Sequence, residues 1–137
     1  MALRAMTWDT NLVLYVDSIV GQPFEWGRTD CATIVREALR SMYGKDMLGI
    51  GTWTTKTGAT RMLKKIGSYN DALAGAGAHE VPIRFRQRGD VAILPGGDCD
   101  GFPGLGVVVR AGVLTVDDVV MILPLESEAT IMRFPNG

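Results

Sequence analysis

Histidine and cysteine are scarce in this sequence, which holds one histidine and two cysteines among 137 residues. Two cysteines are too few for a scaffold stabilised by several disulfides, and they leave open only a single bridge between Cys31 and Cys99. The three residues also match no common zinc-ligand spacing. We therefore expect no metal and no cofactor, and a fold that depends on a hydrophobic core.

Neither sign of charge is in excess, since 14 basic and 15 acidic residues give a formal net charge of -1. This balance gives no reason to expect binding to nucleic acid or to a membrane surface. The densest basic stretch, RFRQR at 84–88, has arginine at alternate positions, which is typical of one face of a short strand.

Long apolar runs are also missing, and none approaches the length of a membrane span. The N-terminus, MALRAMTWDTN, has neither the apolar core nor the cleavage site of a secretory signal. We therefore expect a soluble protein made in the cytoplasm. A length of 137 residues with 47% hydrophobic residues suits one domain covering 1–137.

The first half of the sequence is typical of helices, because apolar residues recur at spacings of three and four between capping and stopping residues. The predicted helices cover residues 9–20, the segment between Thr29 or Asp30 and Gly44, residues 56–65, and a stretch that begins at Ser68. Five short β-rich runs follow from residue 89 onward. This order predicts an α+β fold, with N-terminal helices packed on a C-terminal antiparallel sheet or half-barrel.

Cys31 is the candidate catalytic nucleophile. It opens the clearest helix, in FEWGRTDCATIVREALRSMYG at 24–44, where backbone N–H groups and the helix dipole favour a thiolate. The same position lies on the apolar stripe of that helix, so Cys31 also fits a small buried side chain.

A cysteine nucleophile needs a base, almost always histidine, and a third group to orient that base. The chain offers only His79, in GAGAHEVPIRF, a stretch predicted to be a loop. His79 is therefore a weak candidate base, and an ordinary surface residue is the alternative.

The segment GGDCDGFPG at 96–104 has alternating acidic residues before a glycine, as calcium loops do. The other acidic ligands and the closing glutamate are missing. We therefore expect an ordinary turn between two strands.

Three segments together, PFEWGRTDCATIVREAL, RGDVAILP and GLGVVVRAG, resemble the NlpC-type cell-wall cysteine peptidases. More closely, they resemble a family of small tailed-phage proteins related to those peptidases. The likeness runs from Trp8 to about Phe134. It implies a papain-like fold in its reduced NlpC form, with Trp26 in the core before the nucleophile helix.

The catalytic histidine of NlpC-type peptidases heads the strand after the Gly-Asp strand. The matching position here is at or near Leu105, with no histidine, glutamine or asparagine, so only the nucleophile maps, at Cys31. Loss of the base removes most of what a nucleophile contributes to the rate. An apolar side chain beside the sulfur would also raise the pKa of the thiol.

The resemblance thus implies a non-enzymatic structural or assembly component of a phage tail or virion. Its partners would be other virion or tail proteins and further copies of the chain. The alternative is a peptidoglycan hydrolase that uses Cys31, with His79 or a partner's residue as base. A module that binds a small ligand in the vestigial cleft is a third possibility.

Overall fold

The computed structural model describes residues 4–99 and 102–135, with side chains described for all of these except 97–99 and 102. The four predicted helices are confirmed: α1 (Trp8–Ile19), α2 (Cys31–Tyr43), α3 (Lys56–Ile66) and α4 (Tyr69–Gly75). Within the described ranges, none of these helices combines the length and apolar character needed to cross a bilayer.

The helices begin and end at residues that satisfy backbone groups locally. The side chains of Asp30, Thr55 and Ser68 each accept a hydrogen bond from the backbone N–H three residues further on, and so cap α2, α3 and α4. Gly44 ends α2 in the left-handed conformation, with φ of 77°, which glycine adopts without a steric cost. Local sequence therefore fixes where α2 starts, and with it the position of Cys31.

Six strands form one antiparallel sheet. They are β1 (His79–Val81), β2 (Val91–Cys99), β3 (Phe102–Val109), β4 (Gly112–Val116), β5 (Val120–Leu123) and β6 (Thr130–Arg133). The strand order is β1-β6-β2-β3-β4-β5, so β1 and β5 are the two edges. The predicted α+β order and the antiparallel sheet are both confirmed.

Two local predictions are wrong. His79 lies in a strand and not in a loop, because β1 pairs with β6 through His79 and Arg133. RFRQR at 84–88 is not a strand. Residues Ile83–Phe85 form one turn of 3-10 helix after Pro82, in which the Phe85 N–H donates to the Pro82 carbonyl.

The two faces of the sheet bury different clusters. The main core lies between the helices and one face, where Ile34, Val35 and Leu39 of α2 pack with Val107 and Leu114 of the sheet. The opposite face carries a smaller cluster of alternate strand residues, partly covered by side chains from the 82–88 and 124–129 loops. The members of this second cluster are Val81, Ala92, Val108, Val113 and Ile131.

An ion pair joins the start of β2 to β6. Asp90 is buried, and its carboxylate accepts hydrogen bonds from Nε and Nη2 of Arg133, both at 2.9 Å, and from the Gln87 N–H. These contacts raise the pKa of the Arg133 guanidinium, chiefly through the hydrogen bond to Asp90. Asp90 therefore gives the Gly-Asp strand start a structural role, since it holds two neighbouring strands in register.

Tyr15 on α1 should make the protein less stable at alkaline pH. Its pKa is raised above 10.0, mainly by burial and secondly by the charge of Glu37. Above about pH 10 the unfolded chain loses the phenol proton and the folded chain keeps it, so the free energy of unfolding falls as pH rises. At one pH unit above that value the loss is about 1 kcal/mol.

Urea denaturation at about pH 9 and pH 11 measures this effect. We expect Tyr15→Phe to lose less stability than the wild type over that interval, because phenylalanine has no proton to release. Equal losses in the two proteins would contradict the assignment to Tyr15.

Candidate functional site

A cleft of about 850 Å³ opens where α2 begins. Its walls come from the loop before α2, from the segment leading into α3, and from the ends of strands β2 to β5. The residues that line the cleft include Trp26, Cys31, Trp53, Gly104, Asp117 and Asp118. The helical side of the cleft is thus mostly apolar apart from Asp30 and Lys56, and the sheet side bears the two exposed carboxylates of Asp117 and Asp118.

Asp30 joins three segments at the base of this cleft. The carboxylate is buried and accepts four hydrogen bonds: from the Gly27 N–H (2.6 Å), the Thr33 N–H (3.0 Å), the Thr33 hydroxyl (2.9 Å) and the Trp53 indole N–H (3.0 Å). The predicted helix cap therefore also fixes two segments to α2. They are residues 20–30 before the helix, called the approach loop, and residues 51–55. The bond to Trp53 was not predictable, because the partner lies 23 residues away.

Cys31 is the first residue of α2, is half-buried, lines the cleft and packs against the main core. Its position therefore combines a helix start with contacts to both the cleft and the core. The Asp30 carboxylate occupies the anion position at the helix start, because its Oδ1 accepts from the Thr33 N–H. That charge offsets the favourable field of the helix dipole at the neighbouring thiol. The side chain of Cys99 lies outside the described part of the chain, so a bridge between Cys99 and Cys31 is not tested.

The structure does not bring His79 to Cys31. His79 is exposed on edge strand β1, and it does not line the cleft. In the sheet order, β6 and β2 separate β1 from β3, which puts three strand spacings, or about 14 Å, between β1 and the cleft wall on β3. A general base must lie within about 3 Å of the proton that it takes.

The cleft wall on β3 is formed by Gly104. Leu105, at or near which the sequence places the catalytic position of the peptidases, is 2% exposed and packs in the main core. Gly104 lines the cleft, and an added Cβ there would meet only Leu94, at 3.6 Å. The position next to Leu105 therefore has room for a side chain and carries none.

The aromatic residues are arranged differently from the prediction. Trp53 is the buried tryptophan, with 7% exposure, whereas Trp26 is half-buried in the cleft wall. The Trp26 ring packs edge-on against Phe24, with centroids 4.8 Å apart. Trp26 therefore packs against the main core from its edge, and the tryptophan inside the core is Trp53, whose indole N–H donates to Asp30.

Among the described residues, no three histidine, cysteine, aspartate or glutamate side chains are close enough to hold a metal. The candidate calcium segment falls largely on side chains outside the described set. Its backbone on either side belongs to a hairpin, in which Cys99 pairs with Phe102.

The family model described as a domain of unknown function (DUF6950) matches residues 3–132, and the chain belongs to this family. No curated protein matches the chain.

Two solved structures are similar to the chain. RipD from Mycobacterium tuberculosis is described as a non-catalytic NlpC/p60 domain protein with an adaptation to peptidoglycan-binding function. It shares 14% identity over 93% of this chain and 97% of its own, with a TM-score of 0.49. The P60 domain of antigen MAP1272c from M. avium paratuberculosis shares 15% identity over 94% of this chain and 93% of its own, with a TM-score of 0.47.

Proposed function

We propose that this chain is a non-enzymatic protein on an NlpC-type cysteine-peptidase scaffold, and that it serves as a structural or assembly component of a phage tail or virion. One observation carries the non-enzymatic part. The only histidine of the sequence lies on the edge strand β1, while the cleft beside Cys31 is bordered on β3 by Gly104. A thiol whose histidine base is displaced loses most of its value as a nucleophile.

The Asp30–Cys31 pair has a structural explanation that needs no reaction. Asp30 caps α2 and holds Gly27 and Trp53. Cys31 fills a place between the cleft and the main core. The pair therefore supports the scaffold whether or not the sulfur reacts.

The virion part of the proposal rests on the resemblance of the sequence to small tailed-phage proteins. It implies synthesis in the host cytoplasm, incorporation into the particle, and partners among other tail or virion proteins and copies of the chain. Quantitative mass spectrometry of purified particles tests it. A fixed, symmetric copy number supports the assignment, and absence of the protein from mature particles contradicts it without affecting the question of catalysis.

A peptidoglycan hydrolase is the second candidate, and one observation favours it. Cys31 stands at a helix start and lines an open cleft large enough for a substrate. In that case a partner protein would have to supply the base.

Digestion of purified cell wall separates the two candidates. We expect wild type and Cys31→Ala to release the same background of soluble fragments, because the one histidine of the sequence lies on β1 and does not line the cleft. Release that disappears in Cys31→Ala would establish the hydrolase.

In a parallel measurement on Cys99→Ser, which leaves Cys31 as the only cysteine, we expect slow alkylation by iodoacetamide at neutral pH.

A further inference from the structure

We propose that copies of this chain assemble head to tail, with the acidic edge of one sheet docked on the basic edge of the next. The acidic edge comprises Asp117, Asp118, Val119, Ile122 and Leu123. The basic edge comprises Arg84, Phe85, Arg86 and Arg88. The inference deepens the proposed assembly function, on which it rests, by naming a second copy of the chain as a partner.

The acidic edge is the β5 side of the sheet. The turn between β4 and β5 carries Asp117 and Asp118, both exposed, and neither forms an ion pair within the described residues. Residues 112–124 contain no lysine or arginine. Val119, Ile122 and Leu123 beside them are 38%, 37% and 39% exposed. This edge therefore offers exposed apolar side chains on both faces of β5, next to two uncompensated negative charges.

Part of the β5 backbone is also open. The Val120 N–H donates to the Gln22 carbonyl and the Val120 carbonyl accepts from the Gly21 N–H, both at 2.8 Å, so the polar groups of Val120 point away from β4. Alternate residues of an antiparallel strand point the same way, so the N–H and C=O of Ile122 also face outward. No described residue pairs with them there, which leaves backbone donor and acceptor groups that a docked copy can satisfy.

The basic edge is on the other side of the sheet, in the loop after β1. Arg84, Arg86 and Arg88 are exposed and have no carboxylate partner within the described residues. Phe85 is 57% exposed, and the Arg84 guanidinium lies 4.9 Å from its ring centre. The Phe85 carbonyl accepts a hydrogen bond from Arg133 at 2.8 Å, which fixes the loop. The loop thus presents an anchored aromatic side chain among positive charges.

The net charges of the two edges are complementary. Residues 79–89 hold three arginines and one glutamate, Glu80, for a net charge of +2, and residues 112–124 hold two aspartates, for -2. Two acidic edges or two basic edges would repel each other, so the symmetric arrangement of a two-fold dimer is disfavoured. An acidic edge against a basic edge is attractive, and Phe85 can pack against the exposed apolar side chains beside Asp117 and Asp118. Because the edges are on opposite sides, each copy can use both, and the contact propagates into a ring or a filament.

Sedimentation velocity of the full chain over a concentration series tests this inference. We expect the wild type to rise above the 14.8 kDa monomer mass as concentration increases, and to fall back at high salt. Asp117→Lys with Asp118→Lys, and separately Arg84→Glu with Arg88→Glu, should each remain monomeric. An equimolar mixture of the two variants should assemble again. The aspartate variant then has two basic edges and the arginine variant has two acidic edges, so every contact between them joins opposite charges.

Matched control variants change the net charge by the same amount as the edge variants, but at exposed positions outside the two edges. Asp17→Lys with Asp71→Lys, and Lys45→Glu with Lys64→Glu, should assemble as the wild type does. A wild type that is monomeric at all concentrations overturns the inference. It does so even if the monomer binds DNA through Arg84 and Arg88. So does a mixture of the two edge variants that stays monomeric. None of these results bears on wall digestion or on the presence of the protein in particles, so failure here is distinguishable from failure of the proposed function.

Discussion

Asp30→Ala should lower the free energy of unfolding by about 3–5 kcal/mol. The substitution removes the carboxylate that accepts hydrogen bonds from four donors. Loss of the helix cap costs about 1 kcal/mol, and each buried donor left without a partner adds about 1 kcal/mol or more. Thermal denaturation followed by circular dichroism measures the effect. For a chain of this length we expect the midpoint to fall by roughly 10–15 °C.

Thr55→Ala is the control for this prediction, because Thr55 caps α3 through a single hydrogen bond to the Gly58 N–H. It should cost only about 1 kcal/mol. If Asp30→Ala were no more destabilising than Thr55→Ala, Asp30 would be a helix cap alone and would not hold the approach loop and Trp53 in place.

Gly27→Ala should cost about 3 kcal/mol. Gly27 has φ of 81°, a left-handed conformation that costs an alanine about 1–2 kcal/mol. An added Cβ would also overlap the backbone carbonyl oxygen of Trp53, so the approach loop and the 51–55 segment would have to move apart. Urea denaturation gives the change in the free energy of unfolding.

Gly21→Ala separates the two causes. Gly21 has a similar φ of 88°, but an added Cβ there meets no described atom within 4 Å. It should therefore cost only the conformational part, about 1 kcal/mol. Equal costs at Gly21 and Gly27 would mean that close approach to Trp53 is unimportant.

The helices could be predicted from sequence because their signals are local. Ser68 and Gly44 act on backbone groups within a few residues, and the apolar stripe of α2 repeats over three turns. The edge strand β1 could not be predicted, because three residues are too few for a period to be detected. Its pairing partner Arg133 is also far along the chain.

The site was predictable in part for the same reason. The Asp30–Cys31 pair at the start of α2 is a local signal, and the structure places Cys31 in the cleft. Which residue of β3 borders that cleft depends on sheet register and on packing against α2. The resemblance to the NlpC-type peptidases predicted the segment around Leu105, but only the structure assigns Leu105 to the core and Gly104 to the cleft.

Asp117, Asp118 and Leu123 belong both to the acidic edge and to the rim of the cleft. A neighbouring copy docked on that edge would stand over the opening and act as a cover for it. The interior around Cys31 would then be open only in unassembled chains, and solute entry would be governed by the state of the assembly. The cleft would in this way become a compartment that closes when the copies come together.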